Sequence, residues 1–155
     1  LFDNIFEIKK GIIEGGDILK LNNHFIIGLS SRTNIIGAKE LEKILLEIGA
    51  TCEITNTPKN ILHFKSYCSA LDDNSILLTK QMKSEINLKK KYNFIEVSEG
   101  EEISANALRI NQNLLMADNC PRTSEKLSKN YNIINIDISE LVKIDAGLSC
   151  MSLRW

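Results

Sequence analysis

The sequence predicts an α/β chain assembled from a repeated β-β-α-β unit, and three observations carry that expectation. Short β-prone runs come in pairs separated by turn residues. Each pair is followed by a segment whose apolar residues recur at intervals of three and four, the period of a helix with one buried face. The same order then returns at a spacing of about 45 residues, which suggests a propeller-like ring or an array.

In the first unit, strands are expected over 18–21 and 25–29, joined by Asn22-Asn23. Its helix carries Ala38, Leu41, Ile44, Leu45 and Ile48 on one face, and Gly49 stands where a helix stop belongs. An alternating β-prone run, 51–55, closes the unit. The second copy has strands near 62–70 and 76–79 around the turn Asp72-Asp73-Asn74, a helix over 80–90 and a strand over 94–97. The third has strands over 107–110 and 114–117 around Asn111-Gln112-Asn113, a helix over 124–130 and a strand over 133–138. A fourth begins at Gly147 and is cut off after one strand, at Trp155. The expected organisation is one domain over 1–155, with modules at roughly 12–56, 61–98, 104–138 and a truncated 147–155.

Composition narrows the function. At 155 residues, 43% hydrophobic and 25% charged, the chain can bury one core and has ordinary globular character. Nineteen basic against twenty acidic residues leave a net charge of −1, so no basic field exists for a nucleic-acid backbone. Apolar runs fall far short of the roughly 20 residues that cross a bilayer. No nucleic-acid or membrane partner is expected, and the expected location is cytoplasmic. Cys52, Cys68, Cys120 and Cys150 form no CxxC pair, so neither a disulfide scaffold nor a metal site is indicated, and no cofactor is expected. Residue 1 is Leu, so the chain reads as a fragment.

The polar residues that open successive copies are Glu14, His63, Asn106 and Cys150, at spacings of 49, 43 and 44. If equivalent first strands face a common axis, these residues converge. A carboxylate, an imidazole and a thiol are the set required for a thiol nucleophile, its base and an orienting acid. Each also has a plainer reading. His63 lies in the apolar run Ile61-Leu62-His63-Phe64 and fits a core histidine. Cys150 fits a small buried hydrophobe. Glu14-Gly15-Gly16-Asp17 fits an acidic turn, although paired glycines also permit close backbone approach beside the two carboxylates. Arg32 and Arg122 both precede Thr just after the second strand of a module, a place from which a guanidinium fork can meet a carboxylate or simply be solvated. Lys89-Lys90-Lys91 reads as a solvated helix end, and His24, beside a hairpin turn, as exposed.

Five motifs occur in order over almost the whole chain: Glu14-Gly15-Gly16-Asp17-Ile18-Leu19, Gly28-Leu29-Ser30-Ser31-Arg32-Thr33-Asn34, Leu62-His63-Phe64-Lys65-Ser66-Tyr67-Cys68-Ser69, Ser104-Ala105-Asn106-Ala107 and Asp145-Ala146-Gly147-Leu148-Ser149-Cys150-Met151-Ser152. With them the sequence resembles the dimethylarginine dimethylaminohydrolases. The resemblance implies the α/β propeller (pentein) of the guanidino-group modifying enzymes, five ββαβ modules about a pseudo-fivefold axis, of which this chain holds about three. It implies Cys150 as nucleophile, His63 as general acid/base, Glu14 as the residue that orients His63, and Arg32 as the contact to a substrate α-carboxylate. Asn106 matches a family motif and is taken as a second substrate-binding position.

The implied reaction is hydrolysis of methylated arginine to citrulline and dimethylamine or methylamine through a covalent thiouronium on cysteine. The implied partner is that small molecule, and a homo-oligomer is compatible with it. Arginine deiminases and amidinotransferases typically carry Asp two positions after the catalytic His, where this sequence has Lys65, and that departure favours the dimethylarginine enzymes. The acidic residues with which the family's N-terminal modules hold the guanidinium have no counterpart here. The competing readings are an arginine deiminase-like or other guanidine- or amidine-modifying enzyme, and a non-catalytic fragment of the fold.

Overall fold

The computed structural model describes residues 5–153. Strands β1 (Ile18–Leu21), β2 (His24–Leu29) and β3 (Thr51–Asn56) form a first sheet, with helix α1 (Ile35–Glu47) between β2 and β3. Strands β4 (Cys68–Ala70), β5 (Ser75–Leu78) and β6 (Asn93–Glu96) form a second, with α2 (Lys80–Glu85) in the same place. A third consists of β7 (Leu108–Ile110), β8 (Asn113–Ala117) and β9 (Asn132–Ile136) with α3 (Pro121–Ser128), and a short α4 (Ser139–Val142) follows. In every sheet the middle strand runs antiparallel to the first and parallel to the third. A tight turn suffices for the antiparallel pair, whereas the parallel partner needs a crossover, which the helix supplies.

Local chemistry explains where these elements begin and end. Asn22 and Asn111 take positive φ in the β1–β2 and β7–β8 hairpins, a conformation asparagine tolerates better than most residues. Asn34 caps α1 by accepting from the Gly37 amide, and Thr79 caps α2 by accepting from that of Met82. Pro121 occupies the first turn of α3, where its missing N–H costs nothing.

The first strands of successive modules lie side by side, β1 against β4 and β4 against β7. Cores cross the seams between modules. Leu19, Leu21 and Ile26 pack with Phe64, Ile76, Leu78 and Met82, while Leu71 and Leu77 pack with Ala107, Leu114 and Met116. Burying one such side chain is worth about 1.5–3 kcal/mol, so each module stabilises its neighbour. No helix among the described residues is long and apolar enough to cross a membrane.

Several expectations change. The run 62–70 is extended only over β4, and a 3-10 turn, Phe64–Ser66, precedes it. The Phe64 amide donates to Asp17 Oδ1 at 2.8 Å, so a distant acceptor overrides the local strand tendency. The helix expected over 80–90 stops at Glu85, because Asn87 O accepts from Thr55 and the Lys89 amide donates to Glu53, drawing the segment onto β3. The helix of the third module starts at Pro121 and ends at Ser128. The strand expected after Gly147 is instead a 3-10 turn, Leu148–Met151, and residues 154 and 155 of that truncated copy lie outside the described residues. His24 is half-buried rather than exposed, because its ring lies 2.7 Å from Thr51 Oγ1 and 3.4 Å from Glu53 Oε1.

Candidate active site

Glu14 stands at the entrance to a 3-10 turn, Gly15–Asp17, just before β1. Its Oε2 lies 2.5 Å from His63 Nε2, and Arg32 Nη1 donates to its Oε1 at 3.1 Å. Gly16 makes the approach of the ring possible, since a Cβ there would lie 2.7 Å from His63 Cγ. The bond to His63 is the main reason that the Glu14 carboxyl sits below the ordinary carboxylate range; partial burial opposes this, and the hydrogen bond and charge of Arg32 reinforce it. An ionised carboxylate can only accept, so Nε2–H of His63 is the donor. His63 itself is half-buried at the start of the 3-10 turn before β4.

Beneath this exposed chain lies a buried one. Asp17 is fully buried, and its Oδ2 accepts from the hydroxyls of Ser30 and Thr33, both at 2.7 Å. Its Oδ1 takes the Phe64 amide. Thr33 Oγ1 in turn accepts from the Glu14 amide at 3.0 Å, and Ser30 Oγ from the Arg32 amide at 3.0 Å. Sequence reading noticed the Asp17 carboxylate but gave it no role, and it missed Ser30 and Thr33. The available signal was a pair of hydroxyl residues flanking Arg32 together with an acid beside paired glycines.

Cys150 lies on the 3-10 turn Leu148–Met151 and is exposed, in contrast to the buried Cys68 and Cys120 and the half-buried Cys52. Burial pushes the thiols of Cys52, Cys68 and Cys120 up, which favours their protonated form. Among the described residues no hydrogen bond engages Cys150 Sγ. Asn106 is buried, with Oδ1 accepting from the Ser149 amide at 2.9 Å, and a Cβ at Gly147 would lie 2.5 Å from its Nδ2. The carboxamide is therefore engaged on the turn that carries Cys150.

The segments that carry His63 and Cys150 line shared clefts. One, of about 410 Å³, is lined by Lys20 and Ser69 on the inner strands together with Lys65, Ser149 and Ser152. Another, of about 420 Å³, is lined by Leu62, Ser66 and Tyr67 with Asn106 and Gly147. Glu14, Arg32 and His63 thus form one bonded chain, and Cys150 belongs to a separate turn facing the same segment. Among the described residues no group of three or more His, Cys, Asp and Glu side chains could hold a metal ion.

Modules of this order, with the first strands of successive modules in contact, make the chain an α/β propeller of the pentein type. A structure of dimethylarginine dimethylaminohydrolase from Pseudomonas aeruginosa, a cysteine-to-serine mutant complexed with citrulline, superposes with a TM-score of 0.85 at 36% identity, covering 95% of this chain and 57% of that one. An inosamine-phosphate amidinotransferase from Streptomyces griseus shares the fold at a TM-score of 0.76 and 15% identity, covering 92% of this chain and 46% of that one.

Sequence comparison narrows the class: the model of the arginine deiminase family matches residues 2–108, and the chain belongs to that family. Within it, the N(G),N(G)-dimethylarginine dimethylaminohydrolase of Pseudomonas aeruginosa is 38% identical over 146 residues, 94% of this chain and 57% of that protein. The enzyme of the same name from Streptomyces coelicolor is 28% identical over 147 residues, 94% of this chain and 55% of that protein. The chain therefore spans little more than half the length of these relatives.

Proposed function

We propose that this chain carries the nucleophile and acid/base part of a hydrolase that acts on a C–N bond of methylated arginine and releases citrulline with dimethylamine or methylamine. The observation that carries the reading is the 2.5 Å bond between Glu14 and His63, on a segment that shares its clefts with the turn of the exposed Cys150. The names of the relatives supply the substrate class.

In this reading the Cys150 thiolate attacks the guanidinium carbon, forming a C–S bond. The C–N bond to the methylated nitrogen breaks as His63 delivers a proton to the departing amine. His63 then takes a proton from water. The resulting hydroxide adds to the thiouronium carbon, its remaining proton passes to solvent as the C–S bond breaks, and the thiolate returns with the urea group of citrulline formed. Glu14 holds the imidazole by its Nε2–H and stabilises its charged form. Arg32, half exposed and bonded to Glu14 through one nitrogen, offers the rest of its fork to a substrate α-carboxylate. Asn106 holds the Cys150 turn through its Oδ1 and, lining the cleft beside it, stands as the second substrate-binding position. Four thiols without a disulfide suit the reducing cytoplasm.

The test is citrulline release from asymmetric dimethylarginine and, in parallel, from arginine, by the chain alone and within any longer polypeptide that contains it. Turnover of the methylated substrate supports the proposal. Turnover of arginine alone moves the chain to the deiminase side and removes Lys65 as a discriminator, and silence on both from a folded protein overturns it.

A further inference from the structure

We propose that Asp17 is the positioning residue of this site, the single buried carboxylate that sets where Glu14, Arg32 and His63 stand relative to one another. Each of the three is one step from it. The Phe64 amide, next to His63 in the chain, donates to Oδ1 directly. The Glu14 amide reaches Oδ2 through the Thr33 hydroxyl, and the Arg32 amide reaches the same oxygen through the Ser30 hydroxyl. Both hydroxyls donate to the carboxylate and accept from an amide, so their protons have one orientation available.

The three anchored segments come from different parts of the chain: the turn before β1, the loop after β2, and the 3-10 turn before β4, which belongs to the next module. A fully buried carboxylate is costly to desolvate and is retained only where several donors meet it. Here the donors come from the loop that bears Arg32 and from the turn that follows His63, and the Thr33 hydroxyl extends the set to the Glu14 amide. Asp17 therefore acts through its neighbours and touches no substrate.

Turnover depends on the hydrolase reading above, but the placement of Glu14 does not, so the test reads placement first. The carboxyl titration of Glu14, followed by ¹³C NMR in the 155-residue chain, reports its bond to His63, since that bond is the main cause of its depression. In Asp17→Asn the midpoint is expected to move up by about 0.5 pH or more as the bond lengthens. Removing a nearby negative charge would by itself move it down, so the sign separates lost geometry from lost charge. Thr33→Val keeps both carboxylates and removes one spoke; it is expected to move the midpoint the same way by less. Glu101→Gln, a buried acid of the third module, should lower the melting temperature and leave the Glu14 titration in place.

An unmoved or lowered midpoint in a folded Asp17→Asn overturns the proposal. So does a midpoint in Glu101→Gln that moves as far as in Asp17→Asn. Should Asp17→Asn fail to fold, an unmoved Thr33→Val overturns it equally. With a substrate that the wild-type chain turns over, kcat should fall about tenfold or more in Asp17→Asn. A wild type silent on every guanidine refutes the hydrolase reading alone, because the titration still decides the role of Asp17.

Discussion

The dipeptide Arg-Thr follows the second strand in both the first and the third module, and in both it meets an acid that precedes the module's first strand. In the third module Glu101 is buried, and its oxygens accept from the amides of Arg122 and Thr123 and from Arg122 Nε at 3.1, 2.7 and 3.2 Å. Thr123 Oγ1 accepts from the Ser98 amide, so the whole device pins the first turn of α3 to the loop before β7. In the first module the work is divided between two acids. Asp17 takes the hydroxyls and the backbone, and Glu14, with a side chain 38% exposed against 5% for Glu101, keeps its oxygens for Arg32 and His63. With a second acid three residues along the chain to take the buried donors, the first stays open, its oxygens on Arg32 and His63.

If that division holds, variants in the two modules separate into those that change turnover and those that change stability. The largest effect is expected at Cys150. Cys150→Ser should lower citrulline release by at least about 10³-fold with an unchanged melting curve, because a hydroxyl is scarcely ionised at neutral pH. His63→Ala should follow, at about 10²–10⁴-fold, again with the fold retained; a protein that misfolds would return His63 to the core-residue reading.

Glu14→Gln and Glu101→Gln then compare the two acids directly. Glu14→Gln should cost about 10²-fold in kcat with little change in melting temperature. Glu101→Gln should cost about 2–4 kcal/mol, or roughly 5–15 °C in Tm, and leave kcat per folded molecule alone. Equal losses of stability would break the comparison.

The acid limb of stability sharpens it. Burial raises the Glu101 carboxyl, but the bonds from Thr123 and Arg122 prevail and bring it down to about 2, from 4.5 when free. A carboxyl depressed on folding stabilises fully above its unfolded pKa and loses that contribution as pH falls through the folded one. The stability gap between wild type and Glu101→Gln should therefore stay constant above about pH 4.5 and close between there and about pH 2, as acid melts of the two proteins would read.

The smallest effects belong to the arginines. Arg32→Ala should mainly raise KM for substrates bearing an α-carboxylate, and an equal effect on a simple guanidine would contradict that role. Arg122→Ala should leave KM alone and cost about 1 kcal/mol of stability.

Much of this was legible beforehand. Asn22-Asn23, the apolar stripe of α1 and the return of the same order in the second and third modules located all three sheets, because turn chemistry and periodicity are local properties. The convergence of Glu14 and His63 followed from their spacing in the repeat, and the structure joins them. The run 62–70 misled because its β-prone residues do not reveal that the Phe64 amide has an acceptor elsewhere. The turn at 148–151 misled in the same way: its amides answer to Asn106 and Gly147, not to a strand partner.

By itself the sequence determined the repeated ββαβ order, the positions of its turns and caps, and which residue types open each module. These depend on interactions within a few residues, where pattern and chemistry coincide. Only the tertiary structure decided which acid is buried and which is open, that Asp17 gathers three segments, and that Cys150 is the exposed thiol among the four. Those outcomes depend on donors and acceptors 13 to 47 residues apart meeting in space, and on which surface the neighbouring module covers. Local pattern carries no record of either.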